Sequence, residues 1–395
     1  MSRISQSIKL TRGAGLLAIV VVALAVAGCG SDSSSDTTTK GEGIRAGTGD
    51  RTALATEQGT AAGKEAGAPI ELPTKTVGII NFLGGIESSD RLRDTQTLVN
   101  KMLGWKSIQC DGKGTPAQFL ACGNSLLDRG VDAIVEVAIE PGQIQPVLNK
   151  AMKAGVPVIQ VGGGSIEIGD LSGTYGPDET KAGQVLTDAL VAKLKDIKGA
   201  KVAIQDFPAA WGSSRTDTFR KYVKDNPGAI DIVADYETDA ATLVPFTKKA
   251  VSDNLTKTPD LSAYWFTFDT TGQVGGGVID AKYKGKTFPD RPLVATFHAD
   301  LGTLALMKKG QIDMTSEANY DAANWIAGDQ LAGFFSRQTE ISKEDQPIYP
   351  GAGDMFSYQL ITTEDLPPVG EYVAPLVDVP AYFAAKWAAQ FTNAK

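Results

Sequence analysis

The chain has 395 residues, of which 42% are hydrophobic and 21% charged. That balance excludes a disordered chain and a membrane-embedded one, and the length is enough for two domains. The formal net charge of -8 excludes nucleic acid as a partner, because nothing supplies a basic face, and a single His, His298, narrows the room for catalysis.

In chain order, the first element is a leader over residues 1–29. Arg3, Lys9 and Arg12 make a basic start, and residues 16–26 an apolar run too short to span a bilayer comfortably. Val26-Ala27-Gly28-Cys29 resembles a bacterial lipobox, which implies that Cys29 becomes the lipidated N-terminus on the outer face of a membrane; an uncleaved signal anchor with an incidental Cys is the other reading. Dual acylation is the physical condition for stable anchoring. Residues 30–74 hold few large apolar side chains. They cannot bury enough surface to offset their ordering entropy, and they read as a flexible stalk.

The folded part opens with a strand over 76–82 (TVGIINF), the loop Leu83-Gly84-Gly85-Ile86 and a helix from about 87 to 103. A second strand follows over 106–110 and a second helix over 116–127. The clearest unit is 130–164. Ala133-Ile134-Val135 and Val137-Ala138-Ile139, interrupted only by Glu136, have the near-continuous apolarity of a strand covered on both faces. Pro141-Gly142 ends it, and Ile144, Val147, Leu148, Ala151 and Met152 recur on one helix face. Gly155 sits where a left-handed cap belongs and Pro157 forbids continuation. Val158-Ile159-Gln160-Val161 is the next buried strand, ending in Gly162-Gly163-Gly164. Strand, helix and strand in this order make a right-handed βαβ crossover, so the sheet is parallel and doubly wound.

Residues 173–176 read as a connection, and Asp178 as the N-cap of a long helix whose stripe is Ala182, Val185, Leu186, Ala189, Leu190 and Leu194. The alternation then restarts: strands over 201–206, 230–236, 263–268 and 292–297, helices over 213–223, 241–251 and 272–283. A helix ending at Lys309-Gly310, a short strand over 311–315 and a helix over 320–335 follow. The tail from Gln346 is Pro-rich and irregular, closing with a helix near 381–391. The pattern predicts an α/β fold of two doubly wound parallel-sheet lobes with a cleft between them, where ligands sit at the carboxyl ends of the strands. Cys110 ends the second strand and Cys122 lies in the next helix. In an exported chain they can form a disulfide; two buried free thiols are the alternative, and a metal pair without His neighbours is not expected.

The segments TVGIINF, GVDAIVEV…AGVPVIQV, YGPDETKAGQ, Ser213-Ser214-Arg215…Phe219 and HADLGTLALMKKGQ, in this order and spacing, resemble the type I periplasmic binding proteins, specifically the sugar-type, ribose-binding-like branch that serves ABC transporters. The resemblance covers about residues 75–335. It implies two lobes joined by a multi-strand hinge and closing on a small solute: an N-terminal lobe over 75–172 plus 299–340, and a C-terminal lobe over 173–298 plus 341–395. It also implies a site. Arg215 stands where the family has an Arg that donates a bidentate fork, Phe268-Asp269 where it has an Asn-Asp pair, and Phe297-His298 where an Asp follows Gly-Phe. Glu317 falls near the family's late Gln. Ser88-Ser89 and Gly162-Gly163 replace two stacking Phe rings and an Asp-Arg pair, so most of the first-lobe sugar clamp is absent.

The candidate ligand-binding residues are Arg215, Asp269, His298, Trp211, Phe82, Phe268, Glu140 and Glu317. Arg215 can fork onto ligand oxygens, or pair at the surface with Asp217 or Asp206. Trp211, in a loop, can stack on a ligand face or simply pack. A pocket holding Trp211, Phe82, Phe268 and His298 suits a flatter or less hydroxylated solute than a pentose. Gly163-Gly164 and Gly275-Gly276-Gly277 form no dinucleotide fingerprint, and no G-x-S-x-G elbow accompanies His298. The expectation is therefore a lipid-anchored solute-binding protein, not an enzyme, that needs no cofactor or metal and delivers a sugar or sugar-like molecule to an ABC permease. A surface sensor of the same fold reporting to a signalling partner, and a hydrolase using His298 or an Asp pair, are the other classes; an export signal in place of a DNA-binding helix-turn-helix excludes a transcription regulator.

Overall fold

The computed structural model describes residues 48–164, 166 and 169–394; the leader, Cys29 and the expected stalk up to residue 47 lie outside the described residues. Helix α1 (Thr48–Glu65) precedes β1 (Thr76–Asn81), α2 (Glu87–Met102), β2 (Lys106–Asp111), α3 (Pro116–Asp128), β3 (Ala133–Val137), α4 (Pro141–Ala154), β4 (Val158–Val161) and β5 (Ser172–Tyr175). The five strands form one parallel sheet in the order β2-β1-β3-β4-β5. Every residue of β3 and β4 is buried, as their apolar runs require. Gly155 closes α4 at φ +70° in the left-handed region, where a Cβ would be strained.

The chain then crosses to a second lobe. Asp178 caps α5 (Glu179–Leu194) by accepting from the Thr180 and Lys181 amides, satisfying donors that a helix start leaves orphaned. After it come β6 (Ala200–Asp206), α6 (Ala210–Asp225), β7 (Ile230–Glu237), α7 (Leu243–Lys257), β8 (Ala263–Phe266), α8 (Asp269–Tyr283), β9 (Leu293–Phe297), α9 (Leu301–Lys308), β10 (Met314–Glu317), α10 (Asp321–Arg337), β11 (Gln359–Thr362) and α11 (Val379–Gln390). The second sheet runs β11-β10-β9-β8-β6-β7, parallel except for the antiparallel pair β10–β11. Each sheet is covered on both faces by its own apolar clusters. The Cys110 and Cys122 sulfurs are bonded, with Cα atoms 5.6 Å apart.

Several expectations are corrected. The stalk does not run to residue 74, because α1 packs along α11 with Ala55 and Ala62 buried. Its surface is made of small residues. A Cβ on Gly59 would strike the Tyr382 carbonyl, and one on Gly63 the carbonyl of Lys386, so the two backbones approach closely where the sequence offers no large apolar side chain. Residues 172–175 are the fifth strand of the first sheet rather than a connection, and residues 299–317 carry α9 and β10, which belong to the second lobe. Conversely α11, assigned by the resemblance to the C-terminal lobe, packs its Tyr382, Phe383 and Trp387 into the first. The tail also contributes β11, whose antiparallel pairing closes the sheet edge and gives no local hydrophobic signal. Trp211 lies in the first turn of α6, not in a loop.

Candidate functional site

The two sheets point their carboxyl ends at each other across a cleft, and three strand ends there turn through the left-handed region: Ala138 after β3 (φ +53°), Gly162 after β4 (φ +67°) and His298 after β9 (φ +64°). All three line a partly open cavity together with Phe82, Ser88, Ser89, Leu92, Val137, Trp211, Arg215, Phe268 and Tyr320. The lobes touch across it, where Ser88 Oγ donates to Asp269 at 3.3 Å and Ala210 N donates to Glu140 at 3.1 Å. Strained backbone at non-Gly positions persists only where surrounding structure holds it, and it gathers at binding sites.

Aromatic rings form most of the second-lobe wall. Trp211 stacks on Phe207 at 5.1 Å between centroids and lies 5.6 Å from Phe268. Phe82, from the first lobe, meets Phe207 edge-on at 6.1 Å. The Trp211 Nε1 is buried without a hydrogen-bond partner, an unmade bond that a ligand oxygen would complete.

Arg215 is buried beneath these rings and is not the surface Arg of the alternative reading. Its Nε and Nη2 donate to the two Glu179 carboxylate oxygens at 2.6 and 2.8 Å, Nη1 to the Thr267 carbonyl at 3.0 Å, and Nη2 again to Tyr320 Oη at 2.9 Å. Tyr320 in turn donates to Glu179 at 3.1 Å. His298 packs against the Tyr320 ring, with centroids 4.3 Å apart. Burial, followed by the charges of Arg215 and Arg91, holds its imidazole well below the usual His range, so it is neutral at pH 7 and can donate from one nitrogen and accept at the other.

Asp269, Glu317 and Glu140 do not line this cavity. Asp269 is fully buried at the start of α8 and accepts from Ser88 Oγ at 3.3 Å across the cleft. Burial and the neighbouring Asp300 carboxyl push it well above the carboxylate range, and burial takes Asp300 up to about 6. Glu317 lies behind the wall, accepting from the Ala299 amide and facing Arg91 Nη1 at 3.5 Å; burial pushes it up to about 7. Glu140 stands at the rim, where its carboxylate accepts from the Ala210 amide at the start of α6 at 3.1 Å.

The missed residues are those that join the lobes. Glu87, on α2, places one carboxylate oxygen on each of the first two amides of α9, Leu301 at 2.8 Å and Gly302 at 2.9 Å. Arg91, one turn on, reaches Asp300 at 3.4 Å and Asp321 at 2.8 Å. Their i, i+4 spacing was visible in the sequence, as was Glu179 within YGPDETKAGQ; their partners, far away in sequence, were not.

Two facing α/β lobes with a ring-lined cavity at their strand ends define a bilobal solute-binding protein. Residues 77–332 match the family model described as a periplasmic binding protein domain, and the chain belongs to that family. A xylitol-binding protein of Mycolicibacterium smegmatis is 31% identical over 127 residues, an alignment spanning 30% of this chain and 35% of that protein's length. Among solved structures, a solute-binding protein of an ABC transporter from Mycobacterium smegmatis with glycerol bound superposes with a TM-score of 0.64 at 19% identity, covering 77% of this chain and 99% of the other. The arabinose-transporter binding protein of a Shewanella species, bound to L-arabinofuranose, gives 0.61 at 17% identity over 73% of this chain and 92% of its own. The two solved structures are solute-binding proteins of ABC transporters, and the Mycolicibacterium relative binds xylitol.

Proposed function

We propose that this chain captures a small neutral sugar or polyol between its lobes and presents the closed form to an ABC permease, held at the outer face of a membrane by a lipid on Cys29. The observation that carries the reading is the cavity at the facing strand ends, with stacking rings on one side and few polar groups on the other. Phe82, Trp211 and Phe268 would cover the apolar face of the solute, while Arg215, His298 and Ser88 would meet its hydroxyls. Asp269 would act through Ser88, and Glu140 and Glu317 would position the wall rather than touch the solute. Ligand binding would favour the shut state of the two lobes, so transport would follow a population shift.

A thermal-shift screen of the full chain against xylitol, glycerol, L-arabinose, D-ribose, nucleosides and small aromatic acids tests the reading, because a ligand that binds only the folded state raises Tm. A hit among the polyols and sugars is the expected result. Hits confined to nucleosides or aromatic acids would overturn it. For the anchor, Cys29→Ser should release the protein from the membrane fraction; retention would overturn that part.

A further inference from the structure

Arg215 is the one cation lining the cavity among the described residues, and the family resemblance expects its fork to face the ligand. The fork is already occupied. A guanidinium has five N–H donors, and four of them are committed: two to Glu179, one to Thr267 and one to Tyr320. Only one Nη1 hydrogen is left for a solute. Glu179 takes the paired donors in the bidentate geometry that a ligand carboxylate or phosphate would need. Its side chain is 12% exposed and that of Arg215 2%, so the pair is largely desolvated and its charges cancel at short range. Arg91, the other cation near the cleft, is taken up by Asp300, Glu317 and Asp321. Asp269 and Asp300, buried beside the wall, are carboxyls and supply no cation. An anionic solute entering this cavity would therefore meet a guanidinium whose charge Glu179 already offsets and whose fork is taken.

We propose that Glu179 is a specificity-determining residue: by occupying the fork of Arg215 it restricts the site to neutral polyhydroxylated solutes and excludes their acids. This rests on the solute-capture reading above. Discrimination of this kind comes from a built-in repulsive element as much as from an attractive one.

The test compares wild type with Glu179→Gln, using xylitol and L-arabinose against xylonate and arabinonate by calorimetry. Wild type should bind a neutral member about 100-fold more tightly than its acid, and Glu179→Gln should raise the acid's affinity about tenfold or more. A second arm needs no knowledge of the solute. Formate, small enough to sit on the fork once the side chain is cut back, should raise the Tm of Glu179→Ala and not that of wild type, beyond the effect of chloride at equal ionic strength. A folded Glu179→Gln with an unchanged neutral-to-acid ratio, together with no formate effect on Glu179→Ala, would overturn the proposal, as would a wild type that prefers the acids. A wild type that binds none of the four solutes would sink the capture reading instead, and the formate arm would still decide the role of Glu179. Should Glu179→Gln not fold, Glu179→Asp, which withdraws the carboxylate by one methylene, carries the same comparison; an unchanged ratio there would also overturn it.

Discussion

The two lobes share an architecture, yet two of their buried ionisable groups, one in each lobe, are accommodated on opposite terms. In the second, Arg215 lies under the cleft with four hydrogen bonds and a carboxylate partner. In the first, Glu136 sits in the middle of β3, flanked by Ile80 and Gln160 on the neighbouring strands, fully buried, with neither oxygen hydrogen-bonded. A buried charge survives by being paired, or it stops being a charge. Arg215 takes the first course. Glu136 takes the second, since burial alone pushes it up to about 8, so it is protonated at neutral pH. The same asymmetry marks the cavity walls: the first lobe offers Phe82, Leu92, Val137 and two Ser hydroxyls, while the second offers Arg215 and His298. The guanidinium and imidazole groups of the cavity wall come from one lobe, and the other supplies a neutral surface.

The sharpest way to break this contrast is Arg215→Met. It fits the volume but strands the Glu179 carboxylate with Tyr320 as its one remaining side-chain partner. Removing one partner of a buried pair costs about 3–5 kcal/mol, which denaturant titration would read directly. Solute affinity should fall by about 100-fold or more, since Arg215 both faces the cavity and supports Trp211, over whose ring its guanidinium carbon sits at 4.9 Å. A stability within about 1 kcal/mol of wild type would mean that the pair is not held as described.

The buried carboxyls are tested by pH. Glu136, raised to about 8, and Glu317, raised to about 7, bind a proton in the folded protein that they have lost in the unfolded chain at neutral pH. Their contribution to stability is therefore fully present at acid pH and is lost as pH rises through the folded values. His298, held low, works the other way, but only below its unfolded value near 6.5. Between pH 6.5 and 8 the raised carboxyls, Asp269 among them, act without His298, so stability should fall with rising pH by on the order of 1–2 kcal/mol or more, read as a falling Tm. Glu136→Gln, which keeps the shape and removes one titration, should flatten part of that slope. A wild-type slope of the opposite sign would show that Glu136 is charged and paired.

The βαβ grammar of both lobes was legible because each strand is buried on both faces and each helix carries a stripe; Gly155 and Asp178 even marked their caps. What escaped was held by tertiary contact. Helix α1 looks like a stalk because its packing surface is Ala and Gly, and only the close approach of α11 makes that surface adhesive. Strand β11 exists because β10 leaves an edge for it. Phe82, Phe268, His298 and Arg215, chosen from strand ends and family positions, line one cavity in the structure. The sequence could not show that Arg215 is spoken for, because Glu179 lies 36 residues away and pairs with it only once α5 and α6 pack. Glu317 was a candidate because it falls near the family's late Gln, and Glu140 stood beside it among the candidates; the structure sets them behind the wall and at the rim.

That leaves closure, which the structure separates from recognition. Glu87 does not line the cavity, yet it spans the lobes by capping α9 with both carboxylate oxygens, where the helix N-terminus favours negative charge. Glu87→Gln keeps one acceptor and turns the other into a donor facing the Gly302 amide. The loss, about 1–1.5 kcal/mol, falls on the shut state alone. Apparent affinity scales with the shut fraction, so solute binding should weaken about tenfold while the Tm of the unliganded protein changes little. Small-angle scattering should show a larger radius in the unliganded variant than in wild type. Because Glu87 touches no solute, the weakening should be the same factor for every sugar or polyol that binds. A factor that varied from one solute to the next would place Glu87 within recognition, and the division of labour between the two would fall.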